Sequence, residues 1–273
     1  EIGINSTNIH NRNFKWNTNF VLSYYRNYYV KRDANYVLGI NETQRQDVND
    51  MWQYVVDGMI PAGNPNAGAL KFKDLNGYLR DDSGNIVMVN GKPAYSGSPD
   101  GMIDEADMIY KGNSTPIPFS LNNSFEFGKF DVNVYFYGMF NNWQKNSTYT
   151  MFAGNLQNVA LYGENTLKSL ANRWSYDNLN SSIPSIFAHV ESTAAQRNGY
   201  YLEKAWFLRC DNVSLGYTFK TKKSNKYFSS LRVYAAARNL FVITPYSGSD
   251  PETDSQAAYP NSRTYTFGID ITF

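Results

Sequence analysis

The stretch FDVNVYFYGMF, Phe130 to Phe140, sets Phe130, Val132, Val134, Phe136 and Phe140 at one parity and Asp131, Asn133, Tyr135 and Tyr137 at the other. Successive side chains of a strand point to opposite faces, so this alternation predicts a strand with one apolar and one polar face. The same period runs through FKWNTNFVLSYY, where Phe14, Trp16, Phe20, Leu22 and Tyr24 oppose Lys15, Asn17, Asn19 and Ser23. It returns in TYTFGIDITF, where Tyr265, Phe267, Ile269, Ile271 and Phe273 oppose Thr264, Thr266, Asp270 and Thr272. Strands are expected near 1–9, 14–28, 117–127, 130–142, 204–219, 229–243 and 262–273. Several are longer than the usual globular strand and suit a tilted crossing of hydrocarbon, which needs about 9 to 11 residues.

The connections sharpen this expectation. NIHNRNF, EFGKFD and KKSNKYFSS are short turns, whereas 29–116, 143–203 and 244–261 are long and rich in Asn, Gly, Ser, Pro and Tyr. Short and long connections alternate, as a transmembrane barrel with one tight rim and one elaborated rim requires. The count closes if 29–116 holds no further span, or two, near Met51–Met59 and Ala69–Phe72. A β-sandwich with the apolar faces packed against a second sheet is the competing architecture. Its functional form would be a soluble or secreted calcium-dependent carbohydrate-binding module.

Composition narrows the function classes. Across 273 residues, 25 basic against 24 acidic side chains leave a formal net charge of +1, so no field draws the chain to nucleic acid. The single cysteine, Cys210, rules out an internal disulfide framework and any multi-cysteine metal site. By strict alternation it falls with Trp206, Leu208, Asn212 and Ser214, as a small filler on a strand. The chain has 22 Tyr and 17 Phe but no apolar run near the length of a membrane helix, about 20 residues. The opening EIGINSTNI carries neither a basic leader nor an apolar signal core, unlike the start of a precursor. No nucleophile elbow of the G-x-S-x-G kind is present, and an enzyme is not expected.

Three segments carry a resemblance. The ending YPNSRTYTFGIDITF, the pair FLRCDNVSLGYTFKTK and LRVYAAARNLFVITPYSGSDPE, and KFKDLNG with DGMIDEADMIYKGNSTPIPFSLNNSFEFGKFDVNVYFYG resemble SusC/RagA-type TonB-dependent outer-membrane transporters. FKWNTNFVLSYYRNYYVKR matches the strand expected upstream. The resemblance implies an all-β fold: residues 1–273 as the C-terminal antiparallel strands of a roughly 22-stranded transmembrane β-barrel, with long extracellular loops. It implies import of glycans or oligosaccharides, or of peptides, across the outer membrane of a Gram-negative, Bacteroidetes-like bacterium. It also implies a SusD-like surface lipoprotein over the long loops, outer-membrane lipid around the wall, and a TonB complex acting through an N-terminal region and plug that nothing in these residues resembles.

The acidic stretches suggest a cation site. If Tyr78–Pro99 is treated as an excursion and skipped, Asp74, Asn76, Asp100, the Met102 carbonyl, Asp104 and Asp107 take places 1, 3, 5, 7, 9 and 12 of a calcium loop, with Gly101 at place 6. The excursion has its own hairpin signal, turning at Asn90 and Gly91. The expected cofactor is a structural calcium ion, holding the loop rather than triggering a helix pair. For solute binding, the connection Asn141–Glu203 carries Trp143, Tyr149, Tyr162, Trp174, Tyr176, Tyr200 and Tyr201 among Asn and Gln. Flat rings beside amides suit sugar rings and their hydroxyls, and Trp143, Tyr149, Trp174 and Tyr176 are the candidate contacts.

Overall fold

The computed structural model describes residues 1–31, 42, 45–146, 149, 166–185, 199–220, 228–253 and 261–273. Seven long strands form its framework: β1 (Ile2–His10), β2 (Phe14–Leu22), β3 (Ile117–Phe127), β4 (Phe130–Phe140), β5 (Phe207–Lys220), β6 (Ser230–Ile243) and β7 (Thr264–Thr272). They make one antiparallel sheet in chain order, every neighbour in sequence also a neighbour in space. The turns β1–β2, β3–β4 and β5–β6 are short and share one rim. The three long connections share the other.

Two expectations about strand extent change. β2 stops at Leu22 rather than continuing to 28, although the Ser23 N–H still donates to the Pro118 carbonyl at 3.0 Å. The stretches near 51–59 and 69–72 add no span to the wall, because β2 pairs directly with β3. They form small antiparallel pairs within the long connection, Asp50–Tyr54 with Met108–Asn113 and Val56–Met59 with Leu70–Phe72.

The apolar face is continuous across the sheet. In register, Leu22 and Phe20 lie beside Phe119 and Leu121, and Val132 and Val134 beside Leu215 and Val213. Ala235 then lies beside Phe267 and Val233 beside Ile269. No second sheet covers this face among the described residues: Phe267 is 83% exposed and Ile269 65%. Of the twelve buried apolar residues described, only Phe207 and Cys210 belong to the wall, so the core sits among the long connections instead. A β-sandwich needs the opposite, with these side chains buried between sheets. An apolar face left open in this way is stable against hydrocarbon, where each large side chain recovers on the order of 1.5–3 kcal/mol.

Near the short-turn rim the outward face becomes aromatic. Phe127 stacks on Phe130 at 5.3 Å, Phe130 meets Tyr217 at 4.7 Å, and Tyr217 meets Phe219 at 4.6 Å, with the Lys129 ammonium 5.9 Å from the Tyr217 ring. Aromatic rings with a flanking lysine are what a membrane–water interface favours.

The opposite face is polar and cross-linked. Arg232 of β6 donates to Asp131 of β4 at 2.6 Å and to Asp270 of β7 at 3.0 Å. Gly216 of β5 makes the first of these possible, since a Cβ there would lie 2.5 Å from the Asp131 carboxylate and 2.6 Å from the Arg232 guanidinium. One irregularity alters the faces of β5. The register passes from Tyr135–Asn212 to Phe136–Cys210, leaving Asp211 as an unopposed bulge residue. Cys210 and Leu208 therefore share the outward face with Val213 and Leu215, and Arg209 and Phe207 turn inward with Asn212 and Ser214. Strict alternation had placed them the other way.

Candidate functional site

The bulge at Asp211 aims Arg209 at the inner side of the wall near the long-loop rim, and the site grows from that residue. Arg209 is 2% exposed, and its Nη2 donates to both Asp250 oxygens at 2.8 and 3.0 Å. Its Nε donates to Glu252 at 2.5 Å and its Nη1 to the Asn239 side-chain oxygen. Asn239 accepts from this position because it holds a left-handed backbone (φ 51°), a conformation Asn tolerates better than most residues. The Tyr137 hydroxyl donates to Glu252 at 2.9 Å, and Asn261 donates to Asp250 at 3.1 Å. A buried arginine is tolerable only when its donors are matched; here Asn239 of β6 supplies one acceptor, and three more, from Asp250 and Glu252, draw the connection after β6 onto the wall.

That tether shapes a hollow beside the inner face. Trp143, Gln144, Met139, Phe207, Pro251 and Glu252 line it. Trp143 begins a short strand, Trp143–Lys145, paired with Leu202–Lys204, and the Lys204 ammonium lies 5.8 Å from its ring. Gln144 Nε2 donates to the Thr253 carbonyl at 2.8 Å, joining two long connections across the hollow.

The other ring candidates lie elsewhere. Trp174 is 4% exposed and packs against Gly68 and Ser185, with Gly68 at φ +80° leaving no room for a Cβ. Tyr149 is half-buried against Leu170, and its hydroxyl lies 3.3 Å from that of Tyr200. Tyr200 and Tyr201 meet edge to face at 4.8 Å. Burial pushes the Tyr201 phenol up to about 12 and raises Tyr200 as well. Tyr176 is 73% exposed and touches Trp174 edge-on at 5.4 Å. Tyr162 lies outside the described residues. Of the four candidate contacts, Trp143 and Tyr176 present ring surface, while Trp174 and Tyr149 spend theirs on internal packing.

The two acidic stretches do come together. Asp74 accepts from the Asp100 and Gly101 backbone N–H groups at 3.2 and 2.6 Å, and Asp107 accepts from those of Leu75 and Asn76 at 2.6 and 3.1 Å. Asp107 also accepts from the Asp104 N–H at 2.9 Å. Residues of places 1 and 12 thus each hold the other half of the loop. Tyr78–Pro99 leaves this junction as a compact hairpin whose turn has Asn90 at φ 52° and Gly91 at φ 76°. Tyr78 and Tyr95 stack at its base, 6.2 Å apart and 8° from parallel. Burial, then the negative charges of Asp100 and Asp107, raise the Asp104 carboxyl against the opposing Ala106 N–H. As placed, the carboxylate oxygens face backbone donors, and no group of three or more His, Cys, Asp or Glu among the described residues is arranged to hold a metal.

Sequence reasoning missed the Arg209 tether altogether. Only the acid pair in SDPE, Ser249 to Glu252, hinted at it, and the bulge that turns Arg209 inward leaves no mark in the local pattern.

The comparisons with known proteins fit this architecture. No family model matches the chain. TonB-dependent receptor SusC of Bacteroides thetaiotaomicron is 26% identical over 286 aligned residues, covering all of this chain and 26% of that protein. TonB-dependent receptor P3 of Formosa agariphila is 25% identical, covering all of this chain and 28% of its own length. The chain therefore spans about a quarter of the length of these relatives. Among solved structures, that of the RagAB peptide transporter superposes with a TM-score of 0.68 at 21% identity, over 98% of this chain and 28% of that one. The RagAB peptide importer in its open-open state gives 0.61 at 20% identity. All of these relatives are named as receptors or transporters rather than enzymes.

Proposed function

We propose that this chain, a segment of the SusC/RagA type of TonB-dependent receptor, supplies wall and outward loops to an importer in the outer membrane of a Gram-negative bacterium of the Bacteroidetes kind. The observation that carries the reading is the single seven-stranded sheet with its apolar face uncovered and its short turns on one rim. The short-turn rim is then periplasmic and the three long connections extracellular. The segment lies toward the C-terminal end of the receptor.

The solute is a glycan or oligosaccharide, entering past the hollow of Trp143 and Gln144, with a peptide as the competing cargo because the solved RagAB neighbours are peptide transporters. A SusD-like surface lipoprotein would close over the long connections, and energy would reach the receptor from TonB through a part outside this chain. Two measurements test these statements. Deleting the gene of the full receptor should abolish growth on a complex glycan as sole carbon source, with growth on peptide as the control. Mild-detergent purification of the receptor should bring a surface lipoprotein with it. Unimpaired growth on every polymer together with isolation of the receptor alone would defeat the reading.

The acidic loop serves this role as a calcium clamp that pins the hairpin Tyr78–Pro99 in the outer loops. In its favour stand the ligand order and the mutual hold of Asp74 and Asp107 across the excursion. Asp74, Asn76, Asp100, Asp104, Asp107 and the Met102 carbonyl would supply the oxygen shell that a hard cation prefers. Calcium titration of the receptor, read by protease resistance at the hairpin, decides it. Identical cleavage in calcium and in chelator would leave the backbone N–H groups as the only counter-charge the loop uses.

A further inference from the structure

Three long connections leave the same rim, after β2, β4 and β6, and each is fastened to the next. Between the first and the second, the Ser185 N–H donates to the Gly68 carbonyl at 2.8 Å, and the buried Trp174 ring lies where a Cβ of Gly68 would be. Gln53, also buried, closes on Gly199 in the same way, its side-chain oxygen 2.6 Å from where a Cβ would stand. Between the second and the third, Glu203 accepts from the Ser247 N–H and hydroxyl, both at 2.8 Å. Asn146 closes the same junction, donating to Glu203 at 3.0 Å and to the Ser247 hydroxyl at 2.9 Å. At 2% exposure Asn146 has no water to turn to, so the junction is buried at its centre.

The body joined in this way is also fixed to the wall. Asn141, the first residue beyond β4, donates to the Asn113 and Thr115 carbonyls at 2.9 and 3.0 Å, which binds the first two connections together at the rim. Arg209 and Tyr137 hold the third through Asp250 and Glu252. The buried residues above the wall come from all three connections, Tyr54 and Leu70 from the first, Trp174 and Tyr201 from the second and Tyr246 from the third. Segments that move on their own are drawn from the least stable parts of a fold, with few buried contacts and solvated hydrogen bonds. These connections have the opposite character. For one of them to swing alone, it would have to leave Asn146, Glu203 or the Gly68 carbonyl without a partner, or bring the Trp174 ring into water.

We infer that the three connections form one rigid lip, fixed to this side of the barrel mouth, in which no connection gates by itself. This rests on the importer reading for the place of the lip at the outer mouth. Opening of the mouth then falls to parts of the receptor outside this chain or to a partner above it, and the lip is the fixed surface against which they move. The two junctions are separate: Gly68, Trp174 and Ser185 couple the first connection to the second, and Asn146, Glu203 and Ser247 couple the second to the third.

Pulsed electron–electron spin resonance on the full-length receptor in bilayers tests it, with nitroxide pairs at the exposed positions Ala62 and Lys168, and Lys168 and Ser249, on a cysteine-free background. The expected result is one narrow distance distribution for each pair. Gly68→Val forces a branched side chain onto Trp174 at φ +80° and should widen the first distribution about twofold or more while leaving the second as it was. Ser185→Pro, which removes the N–H that Gly68 accepts, should act in the same way. Glu203→Ala should do the reverse, widening the second distribution and sparing the first. Gel mobility of the unheated barrel shows that the wall is folded in each variant. A broad or two-peaked distribution in the unmodified receptor, or junction variants that widen neither pair or both, would overturn the inference. Growth of the gene-deletion strain reports separately on the importer reading, so narrow distances in a receptor dispensable for growth would fail that reading and leave the lip standing.

Discussion

Replacing Asp250 with alanine should be the most damaging single change in the outer loops, and the cost can be worked from the tether. Asp250 takes both Nη2 bonds of Arg209, at 2.8 and 3.0 Å, and accepts further from the Glu252 N–H at 2.9 Å and from Asn261 at 3.1 Å. Arg209 sits on a wall strand at 2% exposure and cannot turn out to water once its partner is gone. Removing one member of a buried pair typically costs about 3–5 kcal/mol. Glu252 still accepts from Arg209 Nε at 2.5 Å and is 26% exposed, so Asp250→Ala belongs at the low end, about 3 kcal/mol. Arg209→Leu should cost less, because the freed carboxylates lie on a loop that can swing into solvent and rehydrate. The double variant should then be more stable than Asp250→Ala alone. Equilibrium denaturant unfolding of the detergent-solubilised receptor, read by tryptophan fluorescence, gives all three values, and protease sensitivity after Ile243 reports the loop. A cost for Asp250→Ala below about 0.5 kcal/mol, or a larger cost for Arg209→Leu, would refute the argument that the arginine is held in place by the loop.

Three further outcomes are expected. Val134→Arg, at the centre of β4 on the outward face, should destabilise the barrel by about 2–4 kcal/mol in bilayers, with Val233→Arg nearer the short-turn rim costing about 0–1; urea unfolding from vesicles compares them. Asp100→Ala should speed protease cleavage within Tyr78–Pro99 in millimolar calcium while leaving β3 and β4 folded. Burial works to raise the Asp47 carboxyl, but the Asn49 N–H, Arg26 and Asn113 together hold it below the usual carboxylate range. A depressed folded value means that the stabilisation is present above the unfolded pKa, about 3.9, and is lost as pH falls through the folded one. Hydrogen exchange of the Val48 and Tyr29 amides, which donate to the Asn27 and Gln46 carbonyls respectively, should therefore accelerate beyond the intrinsic trend below about pH 4 and lose this acid step in Asp47→Asn.

The wall was legible because period 2 is a local signal and each strand carries it independently. Phe130, Val132 and Val134 announce their face without knowledge of any other strand. The places where reading failed are those where a distant partner decides. Asp211 is unopposed only because Tyr135 and Phe136 fix the register of β5, and that one extra residue exchanges the faces of Cys210 and Arg209. Trp174 and Trp143 have similar local surroundings in sequence, yet Gly68, more than a hundred positions away, buries the first. The strand expected to reach 28 ends at Leu22, because the next residue of β3 is Pro118, whose carbonyl accepts from the Ser23 N–H but which has no N–H to return. The acidic loop is intermediate: ligand order brought Asp74 and Asp100 together across the excursion, but the hydrogen bonds that join them could not be read from spacing.

A transmembrane wall requires the two faces of β7 to meet different environments, lipid on one side and the lumen on the other. Nitroxide labels placed singly at positions 264 to 271 of the full receptor in bilayers, on a Cys210→Ala background, measure it through their relative accessibility to oxygen and to a water-soluble nickel chelate. Labels at Tyr265, Phe267, Ile269 and Ile271 should respond as lipid-exposed, and those at Thr264, Thr266 and Asp270 as aqueous or contacted from the lumen. Uniform accessibility along the strand, or shielding of Phe267 and Ile269 from both reagents as beneath a second sheet, would contradict a transmembrane wall.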